Sequence, residues 1–198
     1  MTAAKARMEA TMIDGKRWLV LALALMMTGC TDLLSVHPLS LPGDLAFEAT
    51  LIGEWVNVDE DGTATAMIRA STAQARVYDI LWIPPEADEE ALRLQGRLVR
   101  IGDRLVFDLV KAERPEMGVA GHFFMLVEKQ GNELKLHWLD SEWLRERVVR
   151  SEKLAFVVVD GKPVITSATP VVLEFMRMYG LDAKAISGTI TFTRAKAR

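Results

Sequence analysis

Residues 47–55 read Phe-Glu-Ala-Thr-Leu-Ile-Gly-Glu-Trp. Every second residue from Phe47 to Trp55 is apolar or glycine, and the polar residues Glu48, Thr50 and Glu54 are among those between them. A period of two is typical of a β-strand with one buried face. The acidic stretch Asp59-Glu60-Asp61-Gly62 then supplies turn residues. Residues 47–55 therefore predict a half-buried strand that ends in a tight turn.

The same alternation continues through most of the chain. Short dipeptides suited to hairpin turns, such as Gly102-Asp103, Gly131-Asn132 and Asp160-Gly161, separate the alternating segments. The further predicted strands are 63–71, 75–83, 91–101, 104–111, 119–129, 133–139, 154–159, 162–166 and 188–194. The sequence therefore predicts a mainly β fold of about 8–10 antiparallel strands.

Two helices interrupt the strand series. Asp140-Ser141-Glu142 has a capping residue followed by an acidic first turn, and Trp143 to Val148 carry apolar residues at helical spacing. Thr169-Pro170 begins the second helix with a cap followed by proline, and Gly180 ends it. Both helices are short, and we expect them at the rim of the sheet.

The order of the elements predicts the architecture. Successive antiparallel strands with few crossovers form a meander, and a long meander usually curls to remove its exposed edges. We therefore expect an antiparallel meander curled into a barrel or half-barrel. The 168 residues after Cys30 are enough for one domain with a core.

The first thirty residues differ in kind from the rest. Lys5, Arg7, Lys16 and Arg17 form a basic region, and the ten residues from Trp18 to Met27 are apolar. A membrane-spanning helix needs about 20 apolar residues, so this run is too short to span and has the order of a signal peptide.

Met27-Thr28-Gly29-Cys30 resembles the lipobox of bacterial lipoproteins, with Met27 where that family usually has leucine. The resemblance implies cleavage before Cys30, acylation of its thiol and a permanent lipid anchor of the palmitate type. The alternatives are a buried free cysteine and an ordinary secretory signal. Cys30 is the only cysteine, so the mature domain can form no internal disulfide.

This resemblance also predicts the domain organisation and the location. We expect a lipoprotein signal peptide at 1–29, a lipidated tether at 30–45 and a β domain at 46–198. Thr31, which follows the cysteine, implies transport to the outer membrane with the domain facing the periplasm, or retention at the inner membrane if sorting differs. The membrane is the first expected partner.

Gly53 and Trp55 resemble the Gly-x-Trp signature of lipocalins and related calycin barrels. In those families the tryptophan lies across the closed end of the barrel, and a basic residue of the last strand packs on its ring. Arg194 alternates with Ile190 and Phe192 and implies such a barrel-closing pair with Trp55, worth about 1 kcal/mol. The alternative is an ordinary core tryptophan.

Net charge excludes one class of partner. Without the four basic and two acidic residues of the first thirty, 24 basic and 27 acidic residues become 20 and 25, a net charge of −5. An acidic balance without a basic patch argues against nucleic-acid binding.

Candidate catalytic and metal residues are few. His37 lies in the predicted tether; His137 is expected to face Leu126 across a hairpin and to point to solvent, with His122 about 13 Å further along. The acidic clusters 59–61 and 86–90 lack the spacing of a calcium loop. No phosphate loop, nucleophile elbow or dinucleotide motif is present in the sequence. We therefore predict no catalytic residue, no metal site and no cofactor.

Aromatic residues suggest a ligand. A pocket for a small apolar molecule could be lined by Trp82, Trp138, Trp143, Phe123 and Phe124, although aromatic residues on strands are more often core. The sequence thus predicts a non-catalytic, membrane-anchored lipoprotein that binds a small apolar ligand or supports an envelope assembly. The alternative is a periplasmic enzyme whose site is assembled by the fold.

Overall fold

The computed structural model of the protein describes residues 33–60, 62–86, 88–113, 120–159 and 161–196. The strands within these ranges are β1 Leu34–Ser35, β2 Leu45–Ala46, β3 Gly53–Asp59, β4 Gly62–Ala70, β5 Val77–Ile83, β6 Leu92–Ile101, β7 Arg104–Lys111, β8 Phe123–Gln130, β9 Glu133–Leu139, β10 Phe156–Val159, β11 Lys162–Ile165 and β12 Ile186–Arg194. The α-helices are α1 Ser141–Arg150 and α2 Thr169–Phe175. The predicted signal peptide and Cys30 lie outside the described residues.

Eight strands close into an antiparallel barrel. From β3 to β9 each strand pairs with the next, β9 pairs with β12, and β12 returns to β3 with Arg194 opposite Trp55. The short strand β2 pairs with β6 next to the start of β5, on the same side of β6. The prediction of a mainly β, antiparallel fold with two short helices is confirmed. Of the two predicted architectures, barrel and half-barrel, the structure is the closed barrel.

The first predicted strand begins too early. Residues Ala49–Leu51 form a 3-10 turn, and extended pairing starts only at Gly53. The turn carries Leu51 across the end of the barrel, where it is fully buried and its carbonyl accepts a hydrogen bond of 2.8 Å from Trp55 Nε1. The alternation at 47–51 is therefore that of a closing loop, because tertiary contacts override the local pattern.

The predicted tether at 30–45 is wrong from residue 33 onward. Leu33, Leu39 and Leu45 are buried, and β1 pairs in parallel with β11. The Leu39 amide also donates a 2.8 Å hydrogen bond to the Asp108 carboxylate. The folded part therefore begins before the predicted boundary at 46, since scattered leucines dock here without a helical or strand period.

Two separate cores hold the domain together. The inward residues of the barrel strands form the first, which includes Trp55, Tyr78, Phe107 and Phe192. The second lies outside the barrel, where the outward residues of β6, β7 and β8 are covered by the segment from residue 33, both helices and β11. The outer surface of the barrel is thus exposed to solvent on one side and covered by a second layer on the other.

The helices begin largely as predicted. The Asp140 side chain accepts a 2.8 Å hydrogen bond from the Trp143 amide and caps α1. The N-cap position of α2 is Ala168 rather than the predicted Thr169, and no side chain caps this helix. The Thr169 hydroxyl instead donates a hydrogen bond to the Pro38 carbonyl. α2 then widens into a π-turn at Met176–Gly180. Among the described residues, no helix combines the length and the apolar character that crossing a membrane requires.

Candidate functional site at the barrel mouth

One end of the barrel is sealed by Trp55 and Arg194. Trp55 is fully buried, and the Arg194 guanidinium lies 4.6 Å from its ring centroid. The guanidinium also donates hydrogen bonds to the Thr50 carbonyl at 2.6 Å and the Ile52 carbonyl at 3.1 Å. These bonds hold the loop before β3 beneath the barrel, so the pair closes this end both by stacking and by capping backbone groups.

Gly53 makes room for that arrangement. Its φ of 148° is one that residues with a side chain rarely adopt, and a Cβ added there would lie 2.7 Å from Arg194 Nη1. The spacing of glycine and tryptophan therefore has a physical reason: glycine admits the guanidinium, and the tryptophan two residues later supplies the ring on which it packs.

A second ring contact supports the closed end. Tyr78 is fully buried and stacks on Phe47 with ring centroids 5.2 Å apart. Its hydroxyl accepts a 2.7 Å hydrogen bond from the Glu48 amide. Burial raises the pKa of the Tyr78 hydroxyl above its usual 10.0, so the hydroxyl stays protonated at neutral pH.

The opposite end of the barrel is lined by half-buried aromatic residues. Trp82 and Trp138 lie near the ends of β5 and β9, and Phe123 and Leu92 begin β8 and β6. Because neighbouring strands are antiparallel, these positions meet at one end, away from the start of β3. The two tryptophan rings meet edge to face at 6.4 Å, and Leu92 is 42% exposed. We call these four residues the barrel mouth.

The space between the two ends is filled with side chains. Phe107, Met125, Leu134 and Phe192 are at most 2% exposed in the interior, and Trp82 packs on Phe192 with centroids 5.5 Å apart. A ligand of the kind the aromatic residues suggested would therefore sit at the mouth.

Only some of the predicted pocket residues meet there. Trp82, Trp138 and Phe123 share the inner face of the barrel. Phe124 belongs to the outer core instead, because it is one residue out of phase with Phe123. Trp143 lies on α1, where Arg147 Cζ is 3.3 Å from the centroid of its ring and the Tyr179 ring packs against it.

His137 does not point to solvent as predicted. It faces Leu126 as expected, but only 8% of it is exposed. Its Nδ1 lies 2.7 Å from the Thr189 hydroxyl, and its Nε2 lies 3.6 Å from Glu128 Oε1. His137 is thus on the outer face of β9, as the alternation predicted, but it is buried there rather than exposed to solvent.

His122 forms a buried pair with Asp108 that the sequence did not predict. His122 Nδ1 lies 2.6 Å from Asp108 Oδ1, while Asp108 Oδ2 accepts the bond from the Leu39 amide. The backbone of His122 also exchanges two hydrogen bonds with that of Ser35. The pair joins the N-terminal segment to the outer wall of the barrel. One signal was present: Asp108 is the only charged residue within Leu105–Val110.

Other candidate polar groups stay apart. The Ser35 hydroxyl donates to the His37 carbonyl at 2.8 Å rather than to the His122 ring. In the described ranges, no group of three or more His, Cys, Asp or Glu residues could hold a metal ion. The first acidic cluster begins at Asp59, the last residue of β3, and the second follows β5. Asp61 and Ala87 are outside the described residues.

Comparison with known proteins finds no match for this chain among family models, curated proteins or solved structures. Its function must therefore follow from its own residues. The barrel mouth combines half-buried aromatic rings with an exposed leucine, and the opposite end is sealed. This arrangement suits a small apolar molecule or an apolar side chain.

Proposed function

We propose that the protein is a lipid-anchored, periplasm-facing lipoprotein whose barrel is non-catalytic and binds a small apolar molecule at its mouth. The observation that carries the proposed ligand binding is the contrast between the two ends of the barrel. Trp55 and Arg194 seal one end, while Trp82, Trp138 and Phe123 leave half-buried apolar surface at the other. When a ligand removes such apolar surface from water, the complex is stabilised by about 25 cal/mol per Å² of surface buried.

The anchor is supported by the sequence around Cys30. A basic region, a short apolar run and Thr28-Gly29 before the cysteine have the order of a lipoprotein signal. Thr31 favours the outer membrane. Palmitate labelling of the wild type, but not of Cys30→Ala, would support the anchor, and equal labelling of both would exclude it. Fractionation to the inner membrane would contradict the outer-membrane assignment alone.

The ligand site is tested with two matched substitutions on neighbouring strand positions. Leu92 lies opposite Trp82 at the mouth and is 42% exposed, whereas Ile83 points outward beside it and is 39% exposed. Leu92→Asp places a carboxylate among the aromatic rings, and Ile83→Asp places one outside. Both positions tolerate polarity, because each is already partly in water.

Binding of N-phenyl-1-naphthylamine is followed by its fluorescence. We expect saturable binding to the wild type and to Ile83→Asp, and a dissociation constant at least ~10-fold higher for Leu92→Asp. Equal affinities for the two variants would remove the mouth as the site. No saturable binding to an anchored wild-type protein would leave the other non-catalytic role, support of an envelope assembly.

An enzyme is the alternative, and Asp108–His122 is the observation that favours it. A carboxyl group that holds one ring nitrogen leaves the other for a substrate. His122 is only 8% exposed, so little of its ring is open to a substrate. Hydrolysis of p-nitrophenyl acetate that disappears in His122→Gln, with the fold intact by circular dichroism, would favour the enzyme.

A further inference from the structure

The hairpin of β10 and β11 exposes a run of apolar side chains. Val157, Val158 and Val159 are 49%, 64% and 51% exposed. Successive residues of a strand point to opposite faces, so both faces of β10 are apolar. In the part of the chain that the structure describes, β10 is also the edge of its sheet, whose order is β1-β11-β10. Exposed apolar edge strands promote aggregation unless a surface covers them.

The turn of this hairpin lies at the end of the small sheet where the chain enters β1. β1 pairs in parallel with β11, with Leu34 opposite Val164, and Val164 lies opposite Val157. β11 begins at Lys162, directly after the turn. Parallel strands run in the same direction, so the start of β1 and the turn of the hairpin face the same side of the domain.

Covalent geometry limits how far Cys30 can be from this side. Cys30 precedes Leu33 by three residues, and each residue spans at most about 3.6 Å, so their Cα atoms lie within roughly 11 Å. Two strand spacings of about 4.8 Å, roughly 10 Å in total, separate β1 from β10. Acyl chains on Cys30 therefore bring a bilayer surface within reach of the hairpin.

We propose that the turn end of the β10–β11 hairpin contacts the bilayer that holds the acyl chains of Cys30, with Val157, Val158 and Val159 in the interface. This inference rests on the proposed lipid anchor. One face of the hairpin already packs on the domain through Phe156 and Ile165. At the turn end, however, Val158 on that face and Val157 and Val159 on the other are all exposed. A bilayer interface accepts apolar residues on both faces, whereas packing on a single protein surface would cover only one. The contact gives the domain a second attachment point and fixes its orientation on the membrane.

The test uses the mature, acylated protein in vesicles of phosphatidylethanolamine and phosphatidylglycerol. Cys30 is the only cysteine, and its thiol is blocked by the lipid, so Val158→Cys carries the single reactive thiol for an NBD fluorophore. Val58→Cys is the matched control, because Val58 is also an exposed strand valine, at 72%, but lies on the barrel. Vesicles with and without a doxyl-labelled lipid measure the depth of each fluorophore.

We expect quenching of the fluorophore at position 158 to be several-fold greater than at position 58. Equal quenching at both positions, or none at either while the protein stays in the vesicles, would overturn the hairpin contact and leave the anchor intact. Self-quenching at position 158 that grows with protein density, without doxyl quenching, would assign the edge to a second copy of this chain. Failure of the protein to partition into vesicles would overturn the anchor itself.

Discussion

The barrel interior and the layer outside β6, β7 and β8 are both buried, but they are built differently. The interior is filled by alternate residues of consecutive strands, and it is closed at one end by Trp55 under Arg194. The outer layer draws on segments far apart in the chain, from Leu33 to Ala185. In this layer the buried Asp108 carboxylate contacts the His122 ring and accepts a hydrogen bond from the Leu39 amide.

The difference teaches how each region keeps its place. Hydrogen bonds between neighbouring strands hold the barrel in register along its whole circumference. The described N-terminal segment pairs only through two strands of two residues each, β1 and β2. The buried Asp108 carboxylate, which accepts a hydrogen bond from the Leu39 amide, therefore takes the place of a longer ladder. We therefore expect damage to the interior to unfold the domain as a unit, and damage to the polar contacts to loosen the outer layer first.

Trp55→Ala is the largest expected effect and tests the interior. It removes a fully buried side chain, and we expect the free energy of unfolding to fall by about 3–5 kcal/mol. Urea unfolding followed by circular dichroism measures the change. Trp143→Ala, on α1 outside the barrel, is the control and should cost clearly less. A loss at Trp55 no greater than at Trp143 would mean that the barrel end does not depend on its tryptophan.

Asp108→Ala tests the outer layer. It leaves the Leu39 amide and the His122 ring nitrogen without their partner, and we expect a loss of about 2–3 kcal/mol. Hydrogen exchange should show lost protection at Leu39 and His122 while the amides of β3 and β4 stay protected. Uniform loss of protection in both regions would contradict the separation of the two layers.

Arg194→Ala is the smallest expected effect. The guanidinium is partly exposed, so its ring contact and hydrogen bonds to Thr50 and Ile52 are worth about 1 kcal/mol. Arg194→Lys, which keeps the charge but loses the paired donors, should fall between the alanine variant and the wild type in urea unfolding. A loss as large as that of Trp55→Ala would mean that the arginine, and not the ring, closes the barrel.

Much of the barrel was predictable because alternation is a local property. The strands from residue 62 to 139 match their predicted ends to within two residues, except that β8 starts at Phe123 and not at 119. They were predictable because most inward residues are apolar and because glycine marks turns, as at Gly102 and Gly131. The pairing of Trp55 with Arg194 was suggested by a family resemblance rather than by period. The barrel mouth was foreseen only in part, because a period of two places Phe123 and Phe124 on opposite faces but does not say which of them faces inward.

The sequence by itself determined that this protein is a mainly β domain whose strands alternate, with two capped helices and a distinctive segment before Cys30. Only the tertiary structure decided that the barrel closes, that residues 33–45 belong to the fold, and that Asp108 meets His122. The physical reason is range. Alternation and caps act between residues a few positions apart, whereas closure joins Trp55 to Arg194 and the outer layer joins Leu39 to Asp108, and no local pattern records which distant surfaces will bury each other.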